Sequence, residues 1–434
     1  MPKTASAAKA AKPPKVALGP AFNRLWTSTL ASHIADGVLA TAAPLLAATL
    51  TQDPVLIAGL SALVMLPWLL FGIPIGGLLD RVDRRLALAG ASAAKLLAAA
   101  GVSLAIATGS MSIWVLYVAA FVIGTAEVFS DTAAQAMIPK LLNANQLERG
   151  NSKLSVAQTV LQNFVGAPLG GVLYAAAIWI PFAVNSAGFA IAAALILFIP
   201  AKVRADWNRA TKAEERKEQG KFWADIRFGI AYLYNDKPLL RLVVTTASVG
   251  FFFSAATSTQ VLYLLKVQHV PEALFGVILT IDGIAGLFGA LHTPWWSAKL
   301  GRGRALAWSI VIAPLAIFLS GLAPNIAVFM AMFMVHMYVI SLWNILLMST
   351  YHSLIPNHLF GRIHGTRRTL VWGMMPIGSM LGGWLATFGL PVPLILGGAA
   401  ATLVAATGIR FIAKLGNQST RVVEQEPTLG GHDD

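Results

Sequence analysis

"GGLLDRVDRR", residues 76–85, packs two acids and three arginines into its last six positions. On either side the chain runs for long stretches almost without charge. A dense polar knot between two apolar runs reads as a short link between helices that cross a membrane. The whole chain supports that reading. Of its 434 residues 56% are hydrophobic and only 12% charged, against about 25% charged in a soluble domain. Most of the surface is therefore built for a solvent other than water.

A spanning helix needs about 20 mostly apolar residues. The sequence offers twelve such runs, at roughly 25–50, 54–79, 85–109, 111–138, 153–177, 180–200, 238–266, 271–297, 304–323, 325–352, 365–388 and 391–413. They are numbered helices 1–12 below. The links between them alternate in character. "TQDP" (51–54), "ATGSMS" (107–112), "AIWIPF" (177–182), "LAPNI" (322–326) and "GLPVP" (389–393) carry no Lys or Arg, and only Lys266 interrupts that side. "DRVDRR" (80–85), "PKLLNANQLERGNSK" (139–153), residues 201–224, "KLGRGR" (299–304) and "PNHLFGRIHGTRR" (356–368) are all basic. Positive charge favours the cytoplasmic side. Both termini and the basic links are therefore expected in the cytoplasm, in a multi-pass protein of the plasma or inner membrane. The net charge of +13 falls in these short bursts and forms no stripe, which argues against a nucleic-acid partner. The chain has no cysteine, so disulfides and thiol chemistry are excluded.

The expected organisation is a cytoplasmic tail at 1–20, a six-helix bundle at 21–200, a linker at 201–237, a second six-helix bundle at 238–415 and a tail at 416–434. The tail "MPKTASAAKAAKPPK" carries no cleavage-type segment after it and is not read as a signal peptide. The linker begins highly charged, then places Phe222, Ile226, Ile230 and Leu233 at helical spacing. That fits an amphipathic helix on the inner leaflet or one packed under the bundle. The halves also repeat. Ile138-Pro139 recurs as Ile355-Pro356, Gly166 as Gly378, and Gly170-Gly171 as Gly382-Gly383. Both copies enter the membrane in the same sense, so the halves are expected to be parallel repeats with a site between them at midplane.

At this point the opening stretch resembles a known pattern. Gly76, Asp80, Arg81, Arg84 and Arg85, between helices 2 and 3 of a six-plus-six chain, are similar to the signature loop of the major facilitator superfamily. Leu79 replaces its alanine and Asp83 its second glycine. Stretches in helices 1, 4 and 6 and after helix 10 resemble its drug, macrolide and siderophore exporter branch, and the likeness covers about 20–415. The resemblance implies an all-α fold of two pseudo-symmetric bundles. It also implies that Asp80, an arginine of this loop and Asp131 low on helix 4 form a charge cluster that holds the outward-open state. Helix 5 carries "GAPLGG", with Gly166, Gly170 and Gly171 in register with the exporters' antiporter motif and proline displaced by one to Pro168. Ordinary small-residue packing explains that stretch equally well.

Charged groups at membrane depth are costly and so are functional candidates. Asp36 lies near the middle of helix 1, with His33 one turn earlier on the same face. Glu127 lies mid-helix 4, and Asp282 sits in the glycine-rich "IDGIAGLFG" of helix 8. These four are the proton-coupling candidates. Lys95 in helix 3 is read as a structural counter-charge, and His292 and His336 as ordinary hydrogen-bonding residues. Among many aromatics, Phe252 and Trp343 with the amides Asn185 and Asn344 are candidates for a cavity that takes an amphipathic substrate. The chain shows no HExxH and no phosphate-cradling GxxxxGK[ST]. The expectation is a monomeric, cofactor-free exporter that exchanges a small molecule for protons by alternating access. A proton symporter or lysophospholipid flippase of the same fold stays open. A receptor or an intramembrane enzyme fits less well.

Overall fold

The structure, a computed structural model, describes residues 18–72, 75, 79, 82–143, 146–199, 221–355 and 359–424. Among them every regular element is a helix. Ten helices are long and apolar enough to cross a membrane. They are helix 1 (Pro20–Leu50), helix 2 (Pro54–Phe71), helix 3 (Arg84–Ala107), helix 4 (Ile113–Leu141) and helix 6 (Ile180–Leu197) in the first half. The second half supplies helix 7 (Lys237–Val267), helix 8 (Glu272–Leu300), helix 9 (Arg302–Gly321), helix 10 (Ile326–Leu354) and helix 12 (Val392–Glu424). Helix 5 and helix 11 complete the twelve in pieces. Helix 5 runs through Leu147–Val160, a π-helical turn at Leu161–Gly166 and Ala167–Ala176, and helix 11 through Phe360–Gly373 and Met375–Ala386. Proline has no N–H to donate and clashes with the preceding turn. Pro168 and Pro376 each lie just past one of these interruptions, which is how a helix absorbs the misfit.

Large apolar side chains face outward on many spans: Leu97 on helix 3, Val118 on helix 4 and Leu403 on helix 12 are all about two-thirds exposed. In lipid such a surface costs nothing, and helices associate by close packing of small residues. The repeated glycines do this in both halves. A Cβ on Gly166 would lie 2.5 Å from the Ile34 carbonyl oxygen, and one on Gly170 would lie 2.6 Å from that of Val38, both on helix 1. A Cβ on Gly378 would lie 2.1 Å from the Phe251 oxygen, and one on Gly382 would lie 2.0 Å from that of Ala255, both on helix 7. The third glycine of each set crosses to the other half. Gly171 abuts Gly276 of helix 8, and Gly383 abuts Val55 and Ala58 of helix 2. Each half thus uses its fifth helix in the same way: two glycines grip its own first helix, and one seats the second helix of its partner half.

The buried cores show where the halves fuse. At the face with the uncharged links, one cluster joins Leu45, Ile57 and Tyr174 of the first half to Tyr263, Phe275 and Phe329 of the second. Toward the basic face the cores separate, one centred on Trp68 and Leu79 and another on Trp343 and Tyr351. Trp372 of helix 11 packs against both, edge-on to Trp68 at 5.2 Å. The seal therefore lies at the neutral face.

Two span boundaries differ from expectation. Helix 5 starts at Leu147 rather than 153, because Gly150 lets its first turn pack on Leu142 and Phe22. Helix 12, expected to end near 413, runs on to Glu424. The first turn of that extension is pinned, since Asn417 Oδ1 accepts the otherwise unpaired Gly303 N–H at the start of helix 9. In the linker, Lys221–Asn235 is a helix and Leu233 is buried in the second-half core. That favours packing under the bundle. Ile230, expected on the same face, is half exposed. Phe222 and Ile226 lie outside the described side chains, as do residues 201–220 and the tail at 1–17.

Candidate functional site

Helices 1, 3 and 4 each bring one charged residue to the same depth. Lys95, only 1% exposed, donates from Nζ to Asp36 Oδ1 at 3.2 Å and to Glu127 Oε2. His33 Nδ1 lies 3.6 Å from Asp36 Oδ2, and Ser32 Oγ donates to the same oxygen at 3.3 Å. The Lys95 ammonium also sits 5.2 Å from the ring centre of Phe189 on helix 6, a favourable cation–π distance. Ala35, Ala99 and Phe189 close the cluster off with apolar surface. Its position is set by the crossing of helices 1 and 5. A Cβ on Gly37, next to Asp36, would lie 2.2 Å from the Gln162 oxygen, and Thr41 Oγ1 donates to the Ala167 carbonyl at 2.9 Å.

Two carboxylates share one ammonium here. With both acids ionised and His33 neutral these four side chains carry one net negative charge, and one bound proton balances it, so proton gain and loss moves the cluster between neutral and singly charged. One ligand atom each from His33, Asp36 and Glu127 lies within 4.8 Å of the others. That donor set suits a divalent cation in kind, but Lys95 already sits on both carboxylates, and a metal ion would have to displace it.

The other expected residues distribute as follows. Gly76, Asp80 and Arg81 lie outside the described residues. Arg84 donates to the Ala136 carbonyl, more than one turn before the end of helix 4. Arg85 donates to the carbonyls of Ile196 and Leu197 at the end of helix 6, where Arg24 reaches Phe198. Cations on the last carbonyls of a helix satisfy groups that have no partner within it. Asp83, in place of the signature glycine, caps helix 3 through Arg85 N at 2.9 Å with φ −63, so no glycine conformation is needed there. Asp131 is close enough to Lys95 and His33 of the cluster, and then to Arg368 of helix 11 across the halves, for their charges to interact, and Arg368 stacks on Trp68 at 4.0 Å.

Asp282 is 3% exposed and neither of its oxygens has a hydrogen-bond partner among the described residues. It does not join the helix 1–3–4 cluster. A cavity of about 260 Å³ lies in the second half, with Trp343 and Asn344 on its wall and Met65 of helix 2 at its edge. Phe252 is not on that wall but its neighbour Phe253 is. Asn185 is fully buried within the first half, its amide without a hydrogen-bond partner among the described residues. Sequence reasoning passed over Arg368 and read Lys95 only as a structural counter-charge. The one available signal for Lys95 was depth: it lies about as far into helix 3 as Asp36 does into helix 1.

A profile of the Major Facilitator Superfamily matches residues 25–376. The chain belongs to that superfamily. Two uncharacterized MFS-type transporters, from Mycobacterium bovis and Mycobacterium tuberculosis, are 34% identical to it over 153 residues. That match spans 34% of this chain and 34% of each relative, about a third of their length. A bacterial homologue of the iron transporter ferroportin, solved in an inward-facing state, shares the fold with a TM-score of 0.71 at 13% identity, over 90% of this chain and 98% of its own. The nucleoside transporter NupG does so with a TM-score of 0.66 at 12% identity, over 93% and 99%. A bacterial metal transporter gives 0.65 at 15%, over 91% and 99%. These relatives and neighbours are transporters, and this facilitator is a multi-pass membrane protein of the same architecture.

Proposed function

We propose that the protein is a proton-coupled exporter of amphipathic small molecules, with its basic face and both termini in the cytoplasm. The observation that carries the reading is the cluster of His33, Asp36, Lys95 and Glu127, held on three spanning helices with one acid more than it has lysines. Energy for uphill export comes from the membrane potential, about 2.3 kcal/mol per charge per 100 mV, together with the pH gradient. A proton enters the cluster from the outer side, is released inward, and a cationic end of the substrate competes with Lys95 for the same carboxylates. Alternating access follows from the two halves rocking about the glycine contacts that join them. Asp80, with Asp131 and the loop arginines, gates the basic face.

The test is transport of ethidium into inside-out proteoliposomes driven by an imposed pH gradient. Asp36→Asn and Glu127→Gln are expected to lose accumulation against the gradient while downhill movement persists. If both variants still concentrate ethidium, the coupling site lies elsewhere, and Asp282 is the next residue to replace. A second reading, a divalent metal cargo, is favoured by the His33, Asp36 and Glu127 donor set and by the similar folds of a bacterial metal transporter and a bacterial homologue of an iron transporter. The place held by Lys95 weighs against it. Manganese-driven proton movement in the same vesicles separates the two.

A further inference from the structure

A buried, unused acceptor borders the cavity in the second half. His336 lines it from helix 10 and is 2% exposed. Its Nδ1 lies 2.9 Å from the carbonyl oxygen of Ala313. A carbonyl only accepts, so Nδ1 carries the hydrogen, and a neutral ring then presents Nε2 as a bare lone pair. Nε2 has no hydrogen-bond partner among the described residues. An acceptor left unpaired in a dry setting is unfavourable, so a donor arriving there gains more than it would in water.

The rest of the wall defines the donor's carrier. Phe253 lies parallel to the His336 ring, centroids 5.2 Å apart at 11°. Trp343 and Trp372 add two indoles, and Asn344 supplies one polar group. Among the described residues no Asp, Glu, Lys or Arg is on the wall, so a charged group would be unbalanced inside it. About 260 Å³ is small for a ligand site and suits a fused body of two or three rings. Met65 closes the wall from the first half, so the cavity abuts the surface between the halves.

We propose that this cavity is a substrate subsite for a flat, uncharged aromatic group bearing one N–H or O–H, which His336 Nε2 accepts. The proposal rests on the amphipathic-cargo reading and names the apolar end of that cargo. The charged end of the same molecule then lies outside the cavity, toward the first half.

The experiment compares carbazole with dibenzofuran, which share a shape and differ by a ring N–H against a ring oxygen. Binding to the purified protein in detergent is measured by equilibrium dialysis with empty micelles subtracted and no pH gradient present. Carbazole is expected to bind at least about fivefold tighter, the size of one net hydrogen bond. Equal affinities, or no binding of either probe, overturn the proposal on the wild-type protein alone. His336→Phe keeps the stack on Phe253 and removes the acceptor, so its ratio is expected to fall to about one with dibenzofuran still bound. A preference that survives in His336→Phe overturns the assignment to His336. Because the readout needs no gradient, its outcome is independent of whether transport is proton-driven. Failure in the ethidium assay, conversely, says nothing about this ratio.

Discussion

Lys95→Met removes the cation on which two acids depend. The ammonium is 1% exposed and bonded to both Asp36 and Glu127, while the ligating oxygens of those acids are no more than 4.8 Å apart. Methionine fills similar space without charge. Two unit charges at that separation repel by about 3.5 kcal/mol at an effective dielectric near 20. Breaking a buried ion pair by deleting one partner costs a similar 3–5 kcal/mol. A loss of about 3–5 kcal/mol is therefore expected. It is read as a fall in the temperature at which the detergent-solubilised protein loses its monodisperse size-exclusion peak. The triple variant Lys95→Met, Asp36→Asn, Glu127→Gln is expected to recover most of it, because a neutral network has no stranded charge. The reasoning is refuted if Lys95→Met melts with the wild type. It is equally refuted if the triple variant melts no higher than the single one.

Gly166→Ala forces a methyl to within 2.5 Å of the Ile34 oxygen and 2.8 Å of Gly37 Cα. Overpacking of this kind costs about 1–3 kcal/mol and should lower the same melting temperature. Gly101→Ala on helix 3 meets nothing within 4 Å and should raise stability by about 0.5–1 kcal/mol through backbone entropy alone. Arg85→Ala uncaps helix 6 at two carbonyls. It is expected to cost about 1–3 kcal/mol, only partly restored by Arg85→Lys because a single ammonium lacks the fork. Since the chain has no cysteine, Lys299→Cys offers a clean topology probe. An impermeant maleimide should label it only after cells are opened, and labelling of intact cells would reverse the proposed orientation.

The spans were legible because a run of about 20 apolar residues has few other uses, and the glycine repeat because its spacing survives in both halves. The breaks were legible only in part. Pro168 marks locally where helix 5 must give, but that it gives as a π turn at Leu161–Gly166 depends on how it meets helix 1, which no local pattern carries. The acids of the cluster stood out singly by their cost in a bilayer. Lys95 was legible as a counter-charge but not as the partner both acids share, because 59 residues separate it from Asp36 and 32 from Glu127, and pairing at such range is decided by packing. His336 was passed over for a related reason: sequence shows a histidine but not which of its nitrogens has been left bare.

The ion cluster lies wholly on helices 1, 3 and 4, while the cavity wall, Met65 apart, lies on helices 7 and 9–12. In the proposed reading, the part that harvests the gradient and the part that grips the cargo are encoded in different halves of the gene. Changes to the cavity wall can then accumulate under selection for new molecules without disturbing the engine. A chimera that keeps residues up to the linker and borrows its second half from a relative should inherit the donor's cargo and keep the recipient's response to pH.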